Sequence, residues 1–175
     1  SLCFLSHHDT QHGRKSDVMS VIEYEAKVLA IDVARVAGLI LDKGGTDLGK
    51  VLQRRYVYDI EPGDASRWVR LRDTGDQVTL TVKEIDSDAI GGTRETETEV
   101  GDFETTNTLL GKLGYIPKAY QENRRHSFIL DGAQLEIDTW PRIPDYLEIE
   151  ANSRAEVVRV AALLGYTEED LTGEN

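Results

Sequence analysis

The stretch Glu23-Tyr24-Glu25-Ala26-Lys27 decides how the rest of the chain is read. On an extended strand successive side chains face opposite ways, so Glu23, Glu25 and Lys27 share one face while Tyr24, Ala26 and Val28 share the other. Residues two apart lie about 7 Å apart. At that spacing two flexible carboxylates converge on a divalent cation, with the lysine one step beyond to meet an anion. A strand with one packed and one solvated face gives the same pattern. The pattern gains weight because Tyr146-Leu147-Glu148-Ile149-Glu150 repeats it near the other end of the chain.

Between these two stretches the chain keeps placing charge at alternate positions. The first strand is predicted over 21–31. Asp32 then caps a helix carrying Val33, Val36, Ala37, Ile40 and Leu41, and Gly44-Gly45 stops it. A strand at 51–59 sets Gln53 and Arg55 on one face and Arg54, Tyr56 and Tyr58 on the other. Past the Pro62-Gly63-Asp64 turn, residues 66–73 hold Arg70 and Arg72 together. Thr74-Gly75-Asp76 turns the chain into 77–84, where Thr79, Thr81 and Lys83 oppose Val78, Leu80 and Val82. Residues 94–100 align Glu95, Glu97 and Glu99.

Asp102 opens a second helix through about 113, ended by Gly114. A long extended segment over 115–130 carries Lys118, Arg124 and Arg125 into the Asp131-Gly132 hairpin turn. The next strand, 134–139, places Glu136 and Asp138 opposite Leu135 and Ile137. Pro141 and Pro144 interrupt the chain before 146–150. Ser153-Arg154-Ala155-Glu156 reads as a capping box for a helix striped by Val157, Val160, Ala161 and Leu164. The acidic segment after Gly165 is expected to fray.

The 175 residues suit one domain. A net charge of −12 argues against general nucleic-acid or anionic-membrane binding. No apolar run is long enough to span a bilayer. With Cys3 as the single cysteine, disulfide frameworks and thiolate zinc sites are excluded, and a reducing cytoplasm is the natural setting. Residues 1–18 lack periodicity and hold three of the four histidines, His7, His8 and His12. They read either as a disordered tail or non-native extension or as a metal-binding segment, with the folded domain at 19–175.

The apolar faces (Tyr24, Val28, Val69, Leu71, Leu80, Val82, Leu135, Ile137, Leu147, Ile149) are continuous enough to receive the helices. The charged faces then meet either bulk water or one another across a closed polar interior. In the second case Glu23, Glu25, Asp138, Glu148 and Glu150 face Lys27, Arg70, Arg72, Lys83 and Arg125. Hard divalent cations want carboxylate oxygens, and phosphates want arginine forks and lysine ammoniums. A metal-bound triphosphate supplies both. Exposed ion pairs stabilise by only about 0–1 kcal/mol each, so stability gives little reason to gather so many.

Taken in order, Glu23-x-Glu25-x-Lys27, Arg70-x-Arg72, Lys83, Arg125 and the closing Glu148-x-Glu150 resemble the CYTH superfamily, the triphosphate tunnel metalloenzymes. That group includes class IV adenylate cyclases, thiamine triphosphatases and inorganic triphosphatases. The resemblance spans about 21–164. It implies an α+β fold: an antiparallel, closed eight-stranded β-tunnel with a polar, charged interior and helices packed outside. It also implies Mg²⁺ or Mn²⁺ at Glu23, Glu25, Glu148 and Glu150, and a triphosphate at Lys27, Arg70, Arg72, Lys83 and Arg125. Asn123 stands where members of the group often have lysine, so Arg124 or Lys118 is the expected substitute. Glu25, Lys27 and Asp138 are the expected catalytic residues, with Asp138 near the basic groups or a metal-bound water. Among Glu95, Glu97 and Glu99, either one orients a tunnel cation or all belong to a solvated acidic strand.

The implied chemistry is metal-dependent attack on a triphosphate, whether inorganic triphosphate, ATP or thiamine triphosphate. Water attacking the terminal phosphorus gives hydrolysis, the favoured expectation. Attack by the ribose hydroxyl of ATP on the α-phosphorus gives cyclic AMP and pyrophosphate. A non-catalytic polyphosphate- or nucleotide-binding module is the third reading, and a homodimer is left open. Trp68, Tyr56 and Tyr58 either stack a base or simply pack.

Overall fold

The computed structural model describes residues 20–175; the expectations for 1–18, including His7, His8 and His12, lie outside that range. The elements run β1 (Val21–Val28), α1 (Val33–Asp42), β2 (Thr46–Asp59), β3 (Arg67–Asp73), β4 (Val78–Ile85), β5 (Thr93–Val100), α2 (Phe103–Lys112), β6 (Ala119–Leu130), β7 (Ala133–Trp140), β8 (Ile143–Ala151) and α3 (Arg154–Leu163), then a single 3₁₀ turn at Glu168–Asp170. All strand pairs are antiparallel and the sheet closes in the order β1-β5-β4-β3-β2-β6-β7-β8. The expected eight-stranded tunnel with helices outside it is therefore the fold. Among the described residues no helix is long and apolar enough to cross a membrane.

Local chemistry accounts for the helix ends. Asp32 accepts the Arg35 N–H at 3.0 Å and Asp102 accepts the Thr105 N–H at 2.7 Å, each satisfying an otherwise orphaned donor. Each helix is followed by a glycine at positive φ, Gly44, Gly114 and Gly165, a conformation that costs a residue with a Cβ. Ser153 caps α3 through the Glu156 N–H. Only half of the expected box forms, because the Glu156 carboxylate binds Arg159 at 2.6 Å instead.

The core lies outside the barrel wall. Val36 and Ile40 of α1, with Val157 and Val160 of α3, pack on Phe128, Leu135, Ile137, Leu147 and Ile149. A second cluster joins Phe103 of α2 to Tyr58, Val69 and Leu71. The ten apolar residues singled out from the strand patterns all fall in these two layers. Tyr56 and Tyr58 belong to the second, with Tyr56 stacked on Phe103 at 4.9 Å, so neither reaches the bore.

Three boundaries differ from expectation. The first strand ends at Val28, and β2 begins at Thr46 because its ladder with β6 continues past a bulge at Asp47/Gly49. β8 begins at Ile143, with Pro144 near the strand start where a missing N–H is tolerated. The acidic segment does not fray. β1 pairs with β5 only from Val21 to Glu23, leaving its later edge open. Thr172 fills that edge by exchanging backbone hydrogen bonds with Lys27 at 2.8 and 3.0 Å, and Asn175 Nδ2 donates to Thr93 Oγ1 at 2.8 Å. An unpaired strand edge supplied the partner that local composition could not show.

Candidate active site

Closing the sheet turns one set of alternate side chains inward. The resulting cavity, about 620 Å³, is lined by Glu23, Glu25, Lys27, Arg70, Arg72, Lys83, Arg125, Glu148 and Glu150. Nine of the expected residues are thus brought together from five strands, β1, β3, β4, β6 and β8, by register alone. Asp138, wholly buried, sits behind Arg125 in the wall. Lys118 and Arg124 do not reach the bore. Lys118 pairs with Asp59 at 2.5 Å on the surface, and Arg124 projects into a separate outer groove beside Lys50 and His126. Both lie one residue out of phase with the inward face of β6, so neither stands in for lysine at Asn123.

The bore is electrically divided. On the β1–β8 side Glu25 lies directly opposite Glu150 in the ladder. Carboxylate oxygens of Glu23, Glu25 and Glu150 all come within 4.8 Å of one another. At an effective dielectric of about 20, two ionised carboxylates that close repel by about 3–4 kcal/mol. Burial, followed by Glu148 and Glu23, pushes Glu25 well above the usual carboxylate range. Burial with Glu23 and Glu95 raises Glu150 to about 7. Three hard oxygen donors that resist sharing space as anions fit a Mg²⁺- or Mn²⁺-type cation.

Glu148, expected among the metal ligands, is drawn elsewhere: Arg125 Nη2 donates to it at 3.2 Å. Burial opposes its charge, yet Arg125, Lys27 and Lys83 hold it below the ordinary glutamate value. Asp138 grips the same guanidinium with two hydrogen bonds of 2.7 Å. Arg125 is therefore aimed by carboxylates on two sides. Asp138 acts on it as a positioning residue.

On the β4–β5 side Lys83 bridges Glu95 at 2.9 Å and Glu23 at 3.4 Å. Arg70 approaches Glu97 at 3.5 Å and Glu95 at 3.7 Å. Burial works against Glu95, but Lys83 and Arg70 keep it below its usual value. Glu95 and Glu97 accordingly orient tunnel cations, whereas Glu99 makes no ion pair among the described residues. Lys27 Nζ donates to the Glu174 carbonyl at 2.7 Å, a contact made by the segment that closes the β1 edge.

The β2–β3 side is different. Arg72 has no hydrogen-bond or ion-pair partner among the described residues, and its buried Nε is unsatisfied, as are those of Arg55 and Arg70. Burial, then Arg70 and Arg125, lowers Arg72 to about 9. Arg55, Glu136 and Trp140 line the bore although sequence reading did not assign them to it. The signal for Arg55 was present in the alternation of β2, which sets it beside Gln53. Nothing local distinguished that face from the one bearing Arg54.

With this geometry in view, the chain was compared with known proteins. The CYTH domain profile matches residues 21–163, and the chain belongs to that family. The PH1012 protein of Pyrococcus horikoshii OT3 is similar at 24% identity, TM-score 0.75, covering 87% of this chain and 96% of its own. A Vibrio parahaemolyticus protein described as a candidate adenylate cyclase shares 14% identity, TM-score 0.72, over 87% and 94% of the two chains. The Hippeastrum protein HpAC1, described as a candidate adenylyl cyclase with a dominant triphosphatase activity, shares 20% identity, TM-score 0.57, over 87% and 88%. At these identities the likeness is one of fold. Comparison with curated proteins returned no match.

Proposed function

We propose that this protein is a metal-dependent enzyme that binds a triphosphate in the tunnel and hydrolyses it. The observation that carries this reading is the division of the bore: a carboxylate cluster at Glu23, Glu25 and Glu150 faces guanidiniums, Arg72 above all, that have no counter-charge. A ligand combining a hard cation with a polyanion completes both sides at once. Membership of the CYTH family and the triphosphatase activity in the HpAC1 description point the same way.

Glu23, Glu25 and Glu150 would hold Mg²⁺ or Mn²⁺, which when bound supplies Lewis-acid polarisation of phosphate oxygens and a more acidic water. Arg70, Arg72, Arg125 and Lys83 take up phosphate charge that grows or shifts as the terminal bond breaks. Carboxylate partners hold the heads of Arg70, Arg125 and Lys83 in place before substrate arrives, while Arg72 keeps its donors free. Glu148 serves mainly to aim Arg125, with the metal duty falling on the other three glutamates. Lys27 lies next to the carboxylate cluster and bonds a backbone carbonyl, so it is ready to donate to a substrate oxygen.

Product analysis with Mg²⁺ or Mn²⁺ tests the reading. Inorganic triphosphate, ATP and thiamine triphosphate are offered in parallel. Orthophosphate release is the expected result. Cyclic AMP with pyrophosphate from ATP would replace hydrolysis by cyclisation, and tight binding without turnover would make the domain a sensor.

A further inference from the structure

Arg55 on β2 stands directly opposite Arg72 on β3 in the ladder, so two guanidiniums occupy neighbouring inward positions of one strand pair. Like charges directly opposite each other destabilise a sheet. Neither pairs with a carboxylate among the described residues, in contrast to Arg70, Arg125 and Lys83. Each also keeps a buried Nε without an acceptor. An ion-pair network built for stability would not leave these two unmatched.

Arg55 is nonetheless held firmly. Its guanidinium lies over the Trp140 ring at 4.9 Å, and Nη2 donates to Asn123 Oδ1 at 3.1 Å and Gln53 Oε1 at 3.3 Å. Asn123 is buried, and its Nδ2 donates to Asp138 Oδ1 at 3.3 Å. That bond fixes which way the amide points, so its oxygen faces Arg55. Asp138 thereby orients two arginines, Arg125 directly and Arg55 through Asn123. A neutral acceptor at 123 adds no further cation beside Arg55, and its hydrogen-bond contacts leave the charge uncancelled. A head group oriented by neutral acceptors and an aromatic face, with open donors, is arranged for an anion yet to come.

We propose that Arg55 is a substrate-binding residue, forming with Arg72 a two-guanidinium seat for one phosphoryl group of the triphosphate. This rests on the triphosphate reading above. It gives that ligand a binding wall on β2 that no other assignment includes. It also explains why Asn123 suits this tunnel: the contact a cation there would make is supplied by Arg55 from the adjacent strand.

The test measures inorganic triphosphate binding by calorimetry without metal and with Ca²⁺, beside the thermal midpoint of the ligand-free protein. Wild type, Arg55→Gln and Arg55→Lys are compared. Arg55→Gln should weaken binding about 10- to 100-fold, the range for lost charge-assisted hydrogen bonds. Its ligand-free midpoint should be unchanged or higher, because a repelling charge has gone. Arg55→Lys, which keeps charge but not the fork, should fall between the two. Unchanged affinity in Arg55→Gln would overturn the proposal. So would a fall in its ligand-free midpoint large enough to account for the lost binding, which would make Arg55 a structural strut. If the wild type itself fails to bind triphosphate, the functional reading fails first, an outcome separate from any effect of Arg55.

Discussion

The two walls of the tunnel solve opposite halves of one electrostatic problem. On β1 and β8, Glu23, Glu25 and Glu150 crowd together, and burial with mutual repulsion favours keeping protons. On β2 and β3, Arg55 and Arg72 lie opposite each other, and burial with neighbouring arginines disfavours their charge, lowering them to about 10 and about 9. Between these walls Arg125 and Lys83 are matched by carboxylates. Paired charges fix one another's position, while the unpaired ones leave donors free. Swapping a member of each class should have different consequences.

Arg125→Ala should show the largest effect on the fold. It leaves Asp138, with no exposed surface, facing a lost counter-ion, and removing one partner of a buried pair typically costs about 3–5 kcal/mol. Denaturant unfolding checks this, and a loss under about 1 kcal/mol would deny Asp138 its place as a partner of Arg125. Glu25→Ala should leave the fold standing but cut metal-dependent turnover by on the order of 10²–10³, equivalent to several kcal/mol of transition-state stabilisation. Steady-state rates at saturating Mg²⁺, with circular dichroism as a control, decide it. Full activity would remove Glu25 from the metal site.

Arg72→Ala should raise KM or Kd for triphosphate about 10- to 100-fold and abolish most of the ligand-induced rise in Tm. Because Arg72 has no partner in the free tunnel, ligand-free stability should change little. A drop as large as that of Arg125→Ala would erase the distinction between the walls. The smallest effect is a pH dependence. Glu150 is raised from 4.5 to about 7 in the folded protein, so it takes up more protons folded than unfolded. Its contribution is present in full below pH 4.5 and is lost as pH climbs through about 7. Metal-free protein should therefore lose stability across that window, Glu150→Gln should flatten the slope, and added Mg²⁺ should restore stability at the upper end. A slope unaffected by Glu150→Gln would place the titration elsewhere.

Much of this arrangement was legible from residue alternation. Glu23, Glu25 and Lys27 share a face as expected, and the ten apolar residues read from the strand alternation fall in the two core layers. Adjacent arginines proved harder. Arg54 and Arg55 are neighbours, yet Arg54 lies outside, ion-paired to Asp73 at 2.9 Å and stacked on Phe103, while Arg55 lines the bore. Arg124 and Arg125 divide the same way. Asn123 looked like a lost phosphate contact because its partner, Arg55, comes from a strand about 70 residues earlier in the chain. On β4 the polar Thr79, Thr81 and Lys83 are buried, while the apolar face shared by Leu80 and Val82 is only partly covered. A hydrophobicity pattern read alone assigns inside and outside the other way round.

By itself, then, the sequence determined the strands with their two-sided alternation, the caps at Asp32, Asp102 and Ser153, the glycine stops, and which charges travel together along each strand. These depend on contacts within a few residues, whose geometry the backbone enforces locally. Tertiary structure alone decided that the polar faces close on one another, that Arg125 rather than Arg124 meets Asp138, that Glu148 pairs with Arg125 while Glu23, Glu25 and Glu150 converge, and that the segment around Thr172 seals the open edge of β1. Each of these is set by register around a closed barrel, where shifting one strand by one residue would turn its whole charged face outward.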